Sequence, residues 1–268
     1  MTSADYRRWQ QERRAYVTSS TGNLALVAYQ PVGAAYEPIQ EGIPGRVRRP
    51  AGAEGVEIDA PAEAGLTVDG AALSGPTPIA RLRPDSTPIV RWGGKSLDVF
   101  SCDGSDYELR IYDADAPTLA DFEEIEYYDE DPGLVLEATY ERFADTDDVP
   151  WDFTRSTDSG HLKKVPGVVA VTVAGAPYEL LAFADSGLLV IVFADATTGA
   201  ESYAPGRFLK LPLPELGGPV TLDFNRAFIP PCGFSDFYSC PVPPPQNRIA
   251  APIRAGEKRV RHRSGSGH

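Results

Sequence analysis

Val168-Val-Ala-Val-Thr-Val173, Tyr178-Glu-Leu-Leu-Ala-Phe183 and Leu188-Leu-Val-Ile-Val-Phe193 follow one another with only Gly175-Ala-Pro177 and Asp185-Ser-Gly187 at the turns between them. Short apolar runs punctuated by glycine, proline and aspartate are the pattern of antiparallel hairpins. The last run has no polar alternation, so both of its faces are expected to be buried. On the N-terminal side Leu134–Phe143 reads as another strand. On the C-terminal side Thr197-Thr-Gly199 turns into Glu201-Ser-Tyr203, Gly206-Arg-Phe-Leu209 follows, and Val220–Ala227 reads as the last central strand. Ile249–Ile253 is expected to be an edge strand, because Pro252 cannot donate to a neighbour.

The first half repeats the pattern. Leu24–Tyr29, Val56–Ile58, Leu66–Val68, Ile79–Leu82, Ile89–Trp92, Leu97–Cys102 and Tyr107–Tyr112 read as strands, with Asp69-Gly70 and Asp103-Gly104 as turns. Asp5–Val17 carries Tyr6, Trp9, Arg13 and Tyr16 at helical spacing, with Ser3 placed to cap it. The chain has 25 Gly and 25 Pro among 268 residues, too many for a helical bundle. The expected fold is mainly β: two packed antiparallel β-sandwich or barrel-like halves with a short N-terminal helix. The halves are placed at 1–112 and 132–258. Residues 113–131 form an acidic, solvated connector, whose carboxylates lack the spacing and central glycine of an EF-hand calcium loop. Residues 259–268 are a disordered basic tail.

The formal charge is −13, with acids spread along the chain, which argues against nucleic acid and anionic membranes as partners. No run approaches the ~20 apolar residues of a membrane span. The first 30 residues lack a secretory core, and three cysteines make an odd set; both point to a cytoplasmic protein.

The residues with chemical potential gather after residue 195. Strand alternation through Thr221-Leu-Asp-Phe-Asn-Arg226 would put Asp223 and Asn225 on one face and Arg226 on the other. Asp223 calls for an arginine, and Arg207 or Arg248 could supply it. Asp195, Tyr203 and Arg207 lie in a second loop that would join this cluster. Cys232 and Cys240 flank a proline-rich loop. They can be read as a disulfide, worth roughly 2–3 kcal/mol by loop closure, or as packed or reactive thiols. Zinc would need about four ligands of the Cys/His type, and the chain offers too few. Cys102 reads as core. His161 would have to serve any Ser-His-Asp triad, but no Gly-x-Ser-x-Gly, dinucleotide fingerprint, phosphate loop or zinc-protease helix accompanies it.

Asp195-Ala-Thr-Thr-Gly199, Tyr203, Gly206-Arg-Phe-Leu209, Leu222-Asp-Phe-Asn-Arg-Ala227, Pro230-Pro-Cys232, Cys240-Pro-Val-Pro-Pro244, Asn247-Arg248 and Ala255-Gly-Glu-Lys258 together resemble the uncharacterised prokaryotic domain-of-unknown-function 1684 family. Trp9–Val27 and Ile111–Phe122 also fit. The resemblance implies a fold class and carries no established activity. Gly33–Gly55 lacks the Gly-x-Asn and Asn-Asp-Ile passages that would suggest a phosphopeptide-binding, forkhead-associated sandwich.

Two functions are carried forward. The first is a small-molecule site for an anionic ligand in the second half, possible as an enzyme: Arg207 and Arg226 hold the anion, Asp223 transfers a proton, Asn225 donates a hydrogen bond, and Cys232 is a nucleophile or a wall. Asp195, Tyr203, Cys240, Asn247 and Arg248 complete its lining. The second is a non-enzymatic binding or structural module, in which the same cluster only locks the C-terminal loop. Neither reading calls for a metal or a cofactor.

Overall fold

The computed structural model describes residues 3–80, 90–101, 106–155, 161–185, 187–214 and 216–265. Cys102, the Asp103-Gly104 turn and the Asp158-Ser159 pair lie outside them. The chain is mainly β and divides into two compact units, residues 16–120 and residues 1–15 with 121–268. The first fifteen residues thus group with the second half rather than with the strands that follow them.

In the unit 16–120, the strands are β1 (Leu26–Pro31), β2 (Glu37–Pro38), β3 (Arg46–Arg48), β4 (Gly55–Ala60), β5 (Thr67–Val68), β6 (Ala71–Ala72), β7 (Gly75–Ala80), β8 (Val90–Trp92), β9 (Lys95–Phe100) and β10 (Glu108–Asp113). They form two antiparallel sheets, ordered β1-β10-β9-β8-β5-β6 and β2-β3-β4-β7. Alternate residues of both sheets, among them Ala28, Val47, Ile58, Ile79, Leu97, Leu109 and Ile111, meet in one apolar core. Each of the valine, isoleucine and leucine side chains contributes roughly 1.5–3 kcal/mol by leaving water.

The larger unit begins with helix α1 (Ala4–Val17), whose first turn is capped by Ser3: its Oγ accepts from Tyr6 N at 3.1 Å. Tyr6 and Trp9 stack at 5.6 Å and meet Tyr127 edge-on. The strands continue as β11 (Phe122–Tyr127), β12 (Val135–Trp151), β13 (His161–Val173), β14 (Ala176–Asp185), β15 (Leu188–Phe193), β16 (Arg207–Pro212), β17 (Gly218–Asp223) and β18 (Glu257–His262). Six of them make an antiparallel half-barrel in the order β16-β15-β14-β13-β12-β17. Its core face presents Tyr140, Val169, Val171, Leu180, Ala182, Leu189, Ile191, Phe193, Leu209 and Leu222. On β15 the opposite residues, Val190 and Val192, are buried as well, so this strand is enclosed on both faces as its unbroken apolar run requires.

Three local expectations are corrected. The strand read as Val220–Ala227 stops at Asp223; Phe224–Arg226 is a single 3-10 turn, because the Asp223 carboxylate accepts from Asn225 N and caps it. Ile249–Ile253 is not a strand. It runs past the end of β15 with single backbone bonds, Ile249 N to Ala194 O and Ala196 N to Ala251 O, and buries Ile249 and Ile253 in the core. The start of the supposed tail, residues 259–262, belongs to β18, paired antiparallel with β11 inside the supposed connector. Their charges explain the pairing: Arg261 reaches Glu123, Glu124 and Glu126, and Arg259 reaches Glu126. Ile125 and Val260, opposite each other, are buried beneath this charged surface.

Candidate functional site

The ten candidate residues divide into four networks, all in the larger unit. The first centres on Arg207, the first residue of β16. Gly206 precedes it at φ +99°, and a Cβ there would sit 2.7 Å from Phe193 O, so only glycine brings the chain in this close. The Arg207 side chain is 0% exposed. Its Nη2 donates to Asp195 Oδ2 at 2.8 Å and to Ile253 O at 2.7 Å, while Nη1 donates to Ala255 O at 2.5 Å and Glu257 O at 3.1 Å. Tyr128 and Phe193 flank the guanidinium, with ring centroids 5.6 and 5.4 Å away. Asp195 is equally sealed: its other oxygen accepts from Thr197 N at 2.8 Å and Ile253 N at 3.1 Å. The pair therefore ties the 195–207 hairpin to the 253–257 backbone, and Arg207 turns no face to solvent.

The second network holds Asp223, Asn225 and Arg226. Asn225 Oδ1 accepts from Asp131 N at 2.8 Å and its Nδ2 donates to Asp131 O at 3.0 Å, so the amide pairs with one residue's backbone as a strand neighbour would. The same Nδ2 donates to Asp223 Oδ1 at 2.9 Å. Asp223 finds its arginine in Arg226, Nε to Oδ2 at 3.4 Å, rather than in Arg207 or Arg248. Both partners are about one-third exposed (32% and 33% of the side chains). Arg226 also lies over Tyr6 and Trp9, and its Nη1 donates to Asp5 O at 3.3 Å.

Asn247 makes the third network and repeats the asparagine device. Its Oδ1 accepts from Leu181 N at 2.8 Å, and Nδ2 donates to Leu181 O at 2.9 Å and Val192 O at 2.8 Å. Every polar atom of a fully buried amide is thereby used. The side chain pins the proline-rich loop to β14 and β15. Arg248 next to it is exposed, and only its backbone bridges to Ala194.

Cys232 and Cys240 form the fourth network with Tyr203. They are thiols, not a disulfide, and both are buried. Cys232 N donates to Cys240 Sγ at 3.3 Å, Tyr203 Oη donates to Cys232 Sγ at 3.4 Å, and Cys240 N donates to Thr154 Oγ1 at 3.0 Å. Hydrogen bonding by Cys240, opposed by burial and helped by Tyr203, holds the Cys232 thiol below its ordinary range. Burial, then the neighbouring Cys232, pushes the Tyr203 phenol up. Among the described residues no group of three or more His, Cys, Asp or Glu could hold a metal ion.

One buried group was not singled out from sequence. Glu257, 0% exposed, accepts from Arg13 Nε at 2.6 Å and Arg13 Nη2 at 3.1 Å, and its Oε2 accepts from Ile229 N at 2.7 Å. Its sequence signal is its place directly after Gly256, in the Ala255-Gly-Glu-Lys258 passage. That glycine, at φ +75°, has room for no Cβ, which would fall 2.3 Å from Ala227 O. Two open hollows, of about 680 and 660 Å3, lie elsewhere. One is lined by Tyr36, Arg46, Asp59 and their neighbours, the other by residues of β12, β13, β14 and β17 such as Thr139, Thr172 and Tyr178. None of the ten candidate residues lines either.

Residues 120–258 match the family described as "Protein of unknown function (DUF1684)". The chain belongs to the DUF1684 family. All four networks fall within the matched residues, apart from their contacts to the N-terminal helix. A solved relative of this DUF1684 chain is an uncharacterized protein from Haloarcula marismortui, known from a solution NMR structure. It is 34% identical over 51% of this chain and 77% of that one, with a TM-score of 0.43. No curated protein matches.

Proposed function

We propose that this DUF1684 chain is a non-enzymatic binding or structural β module, in which the Asp/Asn/Arg cluster locks the C-terminal segment onto the half-barrel. The observation that carries this reading is Arg207, whose guanidinium is fully buried and already bonded to one carboxylate and three backbone carbonyls. An anionic ligand would have to displace Asp195 and break those bonds, leaving buried acceptors unmet at about 1–3 kcal/mol each. The asparagines support the same reading, since Asn225 and Asn247 spend their amides on backbone groups.

The anionic-ligand reading keeps one foothold in Arg226, the cluster's part-exposed cation, beside Trp9 and Tyr6. There Asp223 would be displaced from it, leaving the carboxylate as a proton acceptor at the rim. A cytoplasmic location belongs to the same proposal, supported by two adjacent cysteines held as thiols.

The test is thermal melting of the wild-type protein against a panel of millimolar carboxylates and phosphates, repeated with Arg226→Gln and Asp223→Asn. The module reading expects no anion to raise the melting temperature beyond its ionic-strength effect. A saturable rise for one anion, lost in Arg226→Gln, would replace it with the ligand reading.

A further inference from the structure

Cys232 and Cys240 are not needed for the locking just described, and their arrangement has a chemistry of its own. Eight positions apart in sequence, they sit at the ends of a loop that turns back so that the sulfur of one meets the backbone N–H of the other at 3.3 Å. That contact sets the Cys240 sulfur directly against the Cys232 backbone, and both side chains are buried. Tyr203 Oη donates to Cys232 Sγ at 3.4 Å. The loop is held in this fold from outside: Thr154 N donates to Cys240 O at 2.8 Å, its Oγ1 accepts from Cys240 N, and Trp151 Nε1 donates to Val242 O at 2.7 Å.

We propose that Cys232 and Cys240 are a reversible oxidation site that closes to a disulfide when hydrogen peroxide reaches it. Cys232 is the attacking sulfur, because Tyr203 Oη donates to its Sγ and a donor there favours the thiolate. Its thiolate attacks one peroxide oxygen. The S–O bond forms, the O–O bond breaks, and the departing hydroxide takes up a proton to leave as water. Cys232 is now a sulfenic acid. The Cys240 sulfur, deprotonated as it attacks, displaces that hydroxyl; the S–S bond forms and a second water leaves. Two thiols lose two electrons and two protons, and the peroxide gains them. Both cysteines are buried, at 9% and 4% exposure, so the oxidant proposed is one as small as hydrogen peroxide. The adjacent resolving thiol completes the disulfide before a second oxidation can occur.

The experiment uses the full chain carrying Cys102→Ser, so that no third thiol can exchange, after melting has shown that it folds like wild type. It is treated with hydrogen peroxide, quenched, and analysed by intact mass and by peptide mapping without reduction. The expected result is loss of the mass of two hydrogens and a cross-linked peptide joining Cys232 to Cys240, both reversed by dithiothreitol. The closed loop should also raise the melting temperature by about 5–10 °C. In Cys240→Ser the same treatment should stop at a sulfenic acid on Cys232 that dimedone traps. An unchanged mass, or gain of two oxygens on Cys232 with no cross-link, would overturn the proposal. The peptide map decides this in the Cys102→Ser protein even if Cys240→Ser does not fold.

Discussion

Replacing Arg207 with methionine keeps a long, flexible side chain at the position and removes every donor. Asp195 would then be a buried carboxylate holding only its two backbone N–H bonds, and the carbonyls of Ile253, Ala255 and Glu257 would each lose a charge-assisted donor. Breaking one partner out of a buried ion pair costs about 3–5 kcal/mol. The orphaned carbonyls add to this, but not independently, because one group served them all. A loss of at least about 4 kcal/mol is therefore expected, against the 5–15 kcal/mol that typically separates folded from unfolded chains. For a unit of this size that is a fall in melting temperature of roughly 8–16 °C. Urea unfolding followed by circular dichroism measures it directly. Asp195→Leu combined with Arg207→Met should recover part of the loss, since no uncompensated charge then remains. A cost below about 1 kcal/mol for Arg207→Met would refute the reasoning, since a buried arginine that can be removed so cheaply is not holding the fold.

Other consequences follow from the same contacts. Gly256→Ala places a Cβ 2.3 Å from Ala227 O at a positive φ, and a destabilisation of at least about 2 kcal/mol should appear in the urea midpoint. Arg261→Gln, on the exposed β11–β18 ribbon, should cost less than about 1 kcal/mol, and the difference should shrink in 0.5 M salt, at roughly which ion pairs on a surface are screened. Hydrogen bonds from Ser264 to Asp121, from Ser3 to Glu130 and from Arg254 to Glu201 hold these carboxyls below their ordinary range. A depressed folded pKa means stability that is complete above the unfolded value, near pH 4, and is lost as pH falls through the folded one; melting at pH 3 should be lower than at pH 6. Burial raises Tyr6 to about 12, which has the opposite sign. Its contribution is complete below about pH 10 and is lost as pH rises towards 12, so the alkaline fall in melting temperature should be shallower in Tyr6→Phe.

Strands and turns were legible because each rests on a local rule. The Val168–Phe193 runs alternate or stay apolar according to how many faces they bury, and Gly175 and Gly187 turn the chain at positive φ. Helix α1 was legible from its cap and spacing. The remainder depends on partners far away in sequence. Nothing local to Arg259-Val-Arg261 says that Glu123, Glu124 and Glu126 lie opposite, so a basic segment read alone looks like a tail and an acidic one like a connector. Period-2 alternation was carried three residues too far at Phe224, because Asp223 prefers to cap a turn there. Of the candidate site, the residues were legible as chemically unusual, but their partners were not. Asp195, Tyr203 and Arg207 were expected to join the Asp223 cluster, whereas Arg207 pairs with Asp195 and Asp223 with Arg226; that Asn225 would take Asp131 and Asn247 would take Leu181 could not be read from side-chain type, since an amide pairs with any backbone peptide. Glu257 escaped notice because its arginine is 244 positions away.

The central claim is that the Arg207 guanidinium is sealed, with both of its Nη groups occupied. Its Nε and Nη protons can be observed by 15N-edited NMR, assigned by their loss in Arg207→Met. The account predicts resolved Nη signals that exchange slowly with water and do not move when phosphate or a dicarboxylate is added. Rapid exchange with solvent, together with a saturable shift on adding the anion, would contradict it.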